Sequence, residues 1–150
     1  MRQDAHTPPT PRAEATMTRS PNRVFGSIVG TLFLLLGFLG FTATGGSSFF
    51  ATEGGLLADV FQVNDFHNVI HLVIGAVLTL AGLSNQAAAR AVNAVLGFVL
   101  LILGFTGLLL IGSEFNILAL NAAGNVLHFA AAVALLLVGI GADRAHHESR

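Results

Sequence analysis

Four stretches of the chain are almost wholly apolar, 24–43, 66–83, 91–111 and 126–140, and the polar residues crowd between them. A helix rises about 1.5 Å per residue and needs about 20 residues to cross about 30 Å of hydrocarbon, so each run forms the body of a spanning helix. The fourth run is the shortest, but apolar residues continue back to Ile117 and on to Ala142. Continuous apolar runs lack the alternation that a membrane β-barrel strand requires. The pattern predicts an all-α integral membrane four-helix bundle, with a transmembrane domain at 23–142 and spans at about 24–43, 65–83, 91–111 and 122–141. Residues 1–22 hold Pro8, Pro9 and Pro11 among Thr, Ser and Arg, and are expected to be a disordered tail. Residues 143–150 are expected to form a second tail.

The polar positions inside the runs repeat. NDFHNVIHLVIGAVLTLAG, from Asn64, returns 57 residues later as NAAGNVLHFAAAVALLLVG, from Asn121, a pattern N-x3-N-x2-H-x10-G written twice. Gly30, Gly37, Phe38 and Gly40 likewise match Gly97, Gly104, Phe105 and Gly107 at an offset of 67. The chain is therefore expected to be two repeated helix pairs with pseudo-twofold symmetry. An arginine-bearing tail before an apolar run also fits a secretory leader, with Thr42-Ala43-Thr44 as a poor cleavage site. The match between the first and third spans argues for a retained helix. Gly26, Gly30 and Gly37, and again Gly97 and Gly104, fall four or seven apart and line one face, which suits close helix packing in lipid.

The connections differ in character. Within 44–63, Leu56, Leu57, Val60 and Phe61 make a short apolar stripe at helical spacing, expected to lie on the membrane surface or cap the bundle. Residues 84–90 read as a tight polar turn.

Charge sets orientation. The basic residues are all arginine, at 2, 12, 19, 23, 90, 144 and 150, and all fall on the side of the two termini. The opposite loops carry Glu53, Asp59, Asp65 and Glu114. By the positive-inside rule both termini are expected in the cytoplasm, and the two halves run parallel. The exclusive use of arginine suits a bacterial cell membrane protein from a GC-rich genome. With 53% hydrophobic and 10% charged residues the chain is too apolar for a water-facing domain. There is no Cys, hence no thiol chemistry, and no Trp or Tyr for an interfacial belt. Neither a phosphate-binding glycine loop with lysine nor a G-x-S-x-G element is present, and no basic patch suits nucleic acid.

Candidate chemistry gathers where the second and fourth spans begin. Asn64 and Asn121 are placed as helix N-caps. About 10 Å deeper come His71 and His128, three residues beyond Asn68 and Asn125 and on the same faces. A buried polar side chain needs a partner, so the bland expectation is two structural polar pairs, Asn68 with His71 and Asn125 with His128. In that reading the two histidines face one another across the axis, and there is no cofactor. His67 and His71, four apart, also suit one divalent metal ion, with His128 as a third ligand and Asp65 or Glu114 as a carboxylate. Haem between His71 and His128, or proton binding, uses the same residues. His67 is expected nearest the surface.

FQVNDFHNVIHLVIG, with a second N-x-x-H opening the last span, resembles the bacterial four-span proteins of the domain of unknown function 4383 family, over about residues 22–141. The resemblance implies an integral membrane protein and carries over no activity. Members often have aspartate before the second asparagine, where this chain has Gly124. The expected function is a non-enzymatic structural or accessory module in contact with the bilayer, itself or another membrane protein. The alternative is a His-based metal-, haem- or proton-binding membrane protein.

Overall fold

The computed structural model describes residues 20–46 and 48–143. The tails expected at 1–22 and 143–150 lie outside these residues but for 20–22 and 143. The described chain is all-α in its body, with four helices, α1 Pro21–Ala43, α2 Asp65–Ser84, α3 Gln86–Leu110 and α4 Ala122–Gly141. Each is long and apolar enough to cross a membrane, with mean hydropathy between 1.8 and 2.3. Local signals set their starts. Ser20 accepts a hydrogen bond from Arg23 N and Pro21 takes the first helical position, where a missing N–H costs nothing. Asn85 accepts from Ala88 N at 2.9 Å and starts α3.

That cap overturns the expected turn at 84–90. A single extended residue, Asn85, separates α2 from α3, and Arg90 is a full turn inside the helix. The physical reason is propensity: Gln86 to Arg90 reads QAAAR, all strong helix formers, so a polar composition there marks a helix start.

Close approach through glycine holds each consecutive pair together. The expected glycine face is buried, Gly26, Gly30 and Gly37 on α1 and Gly97 and Gly104 on α3. A Cβ on Gly30 would lie 2.6 Å from Thr79 N, and one on Gly75 would lie 2.6 Å from Leu34 N. In the other pair, a Cβ on Gly139 would lie 2.7 Å from Ala94 N. Backbones therefore touch where an alanine would hold them apart, which maximises the dispersion contacts that bind helices in lipid. Between the pairs, Val29, Phe33, Ile74, Leu78, Leu100, Ala132 and Leu135 form the central core. Phe38, Phe105, Leu109 and Leu137 point outward, as lipid-facing side chains do.

The first connection differs from expectation. Its apolar stripe is a two-stranded antiparallel hairpin, β1 Gly55–Leu57 with β2 Phe61–Val63, pairing Leu56 with Gln62. Three residues, 58–60, join the strands; Ala58 and Asp59 both take positive φ, 53° and 57°, as the central residues of a tight turn in which Val60 N donates to Leu57 O at 3.2 Å. Leu56, Leu57, Val60 and Phe61 thus come to lie on opposing strands and their turn.

At the far end of the bundle, arginines close the C-termini of α2 and α4. Arg23 donates to Gly82 O at 3.0 Å and to Leu83 O at 2.9 Å, and Arg90 donates to Gly139 O at 3.2 Å. Both guanidinium groups sit where the helix dipole is negative. Asn22 and Asn93 are buried beside them. Asn93 donates to Asn22 O and Oδ1, both at 3.0 Å, and Asn22 donates to Asp143 Oδ2 at 2.8 Å.

Candidate metal centre

At the hairpin end, two asparagines cap two helices and sew the loops together. Asn64 Oδ1 accepts from His67 N at 2.8 Å, while its Nδ2 donates to Ala51 O and to Ile117 O, each at 2.8 Å. Asn121 Oδ1 accepts from Gly124 N at 2.9 Å, and its Nδ2 donates to Val60 O at 2.8 Å. Each cap therefore fixes its own helix and also reaches the loop of the other pair. Asn116 holds the 113–120 loop by exchanging hydrogen bonds with the backbone of Leu120. Thr44 donates to Asp65, which starts α2 as an acid in its first turn.

Under this roof lie three histidines. His67 and His71 stand one turn apart on α2, ring centroids 4.3 Å from each other, and His128 comes from α4 at 5.5 Å and 6.0 Å from them. One ligand nitrogen from each lies within 4.8 Å of the other two, the only such group of metal-ligating side chains among the described residues. His67 is 2% exposed, so the expected surface position is wrong: the hairpin and the 113–120 loop cover it. Phe33 of α1 packs edge-on against His71 at 5.3 Å.

The expected polar pairs do not form. Both amide atoms of Asn68 and of Asn125 are buried without a hydrogen-bond partner, and so are both ring nitrogens of His67 and of His71 and Nδ1 of His128. Asn68 lies against Gly40 of α1, and Asn125 against Gly107 of α3. Sharing a face at a spacing of three put each asparagine and histidine on the same side of their helix. The asparagine then turns to the neighbouring glycine and the histidine to the centre. Neither expected carboxylate joins the histidines: Asp65 is engaged by Thr44, and Glu114 is exposed.

A small cavity of about 10 Å³ for water-sized centres opens between His67, His71, His128 and Gly124, roofed by Phe61 and Gln62 of β2. That is about the room of one water molecule or one ion. The sequence signals for this site were strong, since the repeated N-x-x-H and the H-x3-H element name all three histidines. Gln62 and the capping role of the arginines were not singled out, and Gly124 was noted only as a departure from the family pattern, because each acquires its role from residues on other elements.

The chain matches the family described as Domain of unknown function (DUF4383) over residues 23–141. It belongs to that family. The matched region takes in all four spans, both caps and the three histidines. No curated protein and no solved structure matches the chain.

Proposed function

We propose that this DUF4383 protein is a non-enzymatic membrane module whose hairpin end is fastened by one divalent transition-metal ion held by His67, His71 and His128. The observation that carries this reading is that one ring nitrogen from each of the three buried histidines lies within 4.8 Å of the other two, in a site where five imidazole nitrogens lack a hydrogen-bond partner. Leaving a buried polar group unpaired costs about 1–3 kcal/mol each, and one ion accepts a lone pair from all three rings at once. Imidazole favours zinc, copper, iron or nickel over magnesium or calcium. Around a tetrahedral ion with bonds of about 2.0 Å the nitrogens stand about 3.3 Å apart, so side-chain shifts of about 1 Å close the site.

Such an ion would tie α2 to α4 and so join the two helix pairs. The shared pattern of glycine contacts and arginine caps in both pairs supports a parallel repeat about an axis along the membrane normal. Positive charge on the side of both termini supports a bacterial cell membrane orientation with the hairpin outside.

Elemental analysis of the full chain, purified in detergent and supplied with zinc, should find one ion per chain. His71→Ala and His128→Ala should each bring it near zero. Zinc at about 100 times its dissociation constant should stabilise the wild type by about 2.7 kcal/mol and leave the variants unmoved. A metal-free wild type of unchanged stability would reduce the cluster to packing.

A further inference from the structure

The histidine cluster is lopsided, and the asymmetry falls on one residue. Adding the repeat offset of 57 takes Asn64, Asn68 and His71 onto Asn121, Asn125 and His128, but it takes His67 onto Gly124. One helix pair therefore contributes two imidazoles and the other contributes one, with a bare backbone where the fourth would stand. Gly124 lines the cavity directly, and a Cβ built on it would meet Asn121 Oδ1 at 3.3 Å and nothing else within 4 Å. The space beside it is open.

Charge makes that opening consequential. Three neutral imidazoles leave a divalent ion with its full charge in a site whose lining, apart from the histidines and Gln62, is apolar. Asp65 is bound to Thr44 and Glu114 is exposed, so neither carboxylate balances it. An uncompensated buried charge is costly, and the nearest remedy is a counter-ion in the first coordination sphere. Structural zinc sites are closed by four protein ligands, whereas three histidines leave a position for an exchangeable one.

We infer that a metal held by His67, His71 and His128 takes a small monovalent anion, hydroxide or halide, as its fourth ligand on the side of Gly124. This rests on the metal reading above. No bond within the anion breaks: the anion donates a lone pair to the ion, and for hydroxide the proton lost by bound water passes to solvent. The ion takes the room between the rings, so the anion's room is the open Cβ position of Gly124, a space of atomic size that suits hydroxide or halide better than sulfate. Besides the histidines, Gln62 is the polar side chain in the lining.

The full chain loaded with cobalt(II) tests this, because cobalt absorbs in the visible with bands set by its ligands. Bromide, titrated at constant ionic strength against sulfate, should change the spectrum saturably, and sulfate should not. Gly124→Asp, which offers a protein carboxylate at the open position and an acid in the first turn of α4, should keep cobalt and lose the bromide response. The wild-type titration stands even if that variant fails to fold. Bound cobalt indifferent to bromide would overturn the anion inference and leave the metal reading intact. A chain that binds no cobalt would remove the metal reading, and this inference with it.

Discussion

Asn68 and Asn125 occupy space that only glycine on the neighbouring helix leaves free. A Cβ at Gly40 would overlap the Asn68 amide, and one at Gly107 would overlap that of Asn125. Asn68 is fully buried and has no room to swing aside. Gly40→Ala should therefore destabilise the bundle by about 1–3 kcal/mol, the usual range for overpacking. In an Asn68→Ala background the same change should cost less than about 1 kcal/mol, because the overlapping atoms are gone and none had a hydrogen bond to lose. Unfolding the four proteins in detergent checks this, and strictly additive losses would count against the Gly40–Asn68 contact. The sequence marked both asparagines as buried polar residues, but it marked Gly40 and Gly107 only as matching repeat positions, outside the glycine face of Gly26, Gly30, Gly37, Gly97 and Gly104. That the two sets meet was not legible, since their separation in the chain spans a loop whose path is set by tertiary contacts.

Among the elements, the helices were legible because about 20 apolar residues in a row admit few other structures. The hairpin was not. Strands of three residues are too short to display alternation, and Leu56, Leu57, Val60 and Phe61 satisfy helical spacing by chance while the connection 58–60 lacks the glycine that usually marks a hairpin turn. Arginine capping was hidden in the same way, because Arg23 and Arg90 read as flanking charge until the ends of α2 and α4 are brought to them. Arg23→Met and Arg90→Met should both lower the melting temperature in detergent. The first should lose more, since Arg23 makes hydrogen bonds to two carbonyls and Arg90 to one. Hydrogen bonds involving a charged group contribute about 1.5–3 kcal/mol. Equal, negligible shifts would mean that water satisfies those carbonyls as well.

For the whole molecule, orientation is the property with the widest consequence, because it decides which compartment would supply the proposed ion. With both termini in the cytoplasm, a reporter active only outside it should be silent when fused at Ser84 or Arg150 and active after Ser48 or Ser113. A reporter active at Arg150 would reverse the orientation and hand the histidines to the cytoplasmic metal pool. Five of the seven arginines behind this expectation, Arg2, Arg12, Arg19, Arg144 and Arg150, lie outside the described residues, while Arg23 and Arg90 do stand at the same end of the bundle. The caps add a constraint of another kind, one of time. Asn64 donates to the Ile117 carbonyl and Asn121 to that of Val60, so each half holds the capping asparagine of the other. A ribosome delivers Asn64 more than fifty residues before Ile117. During synthesis the first pair must therefore wait in the bilayer with Asn64 short of one partner and its two histidines covered by the hairpin alone, and the site exists only once the last loop and α4 have been added.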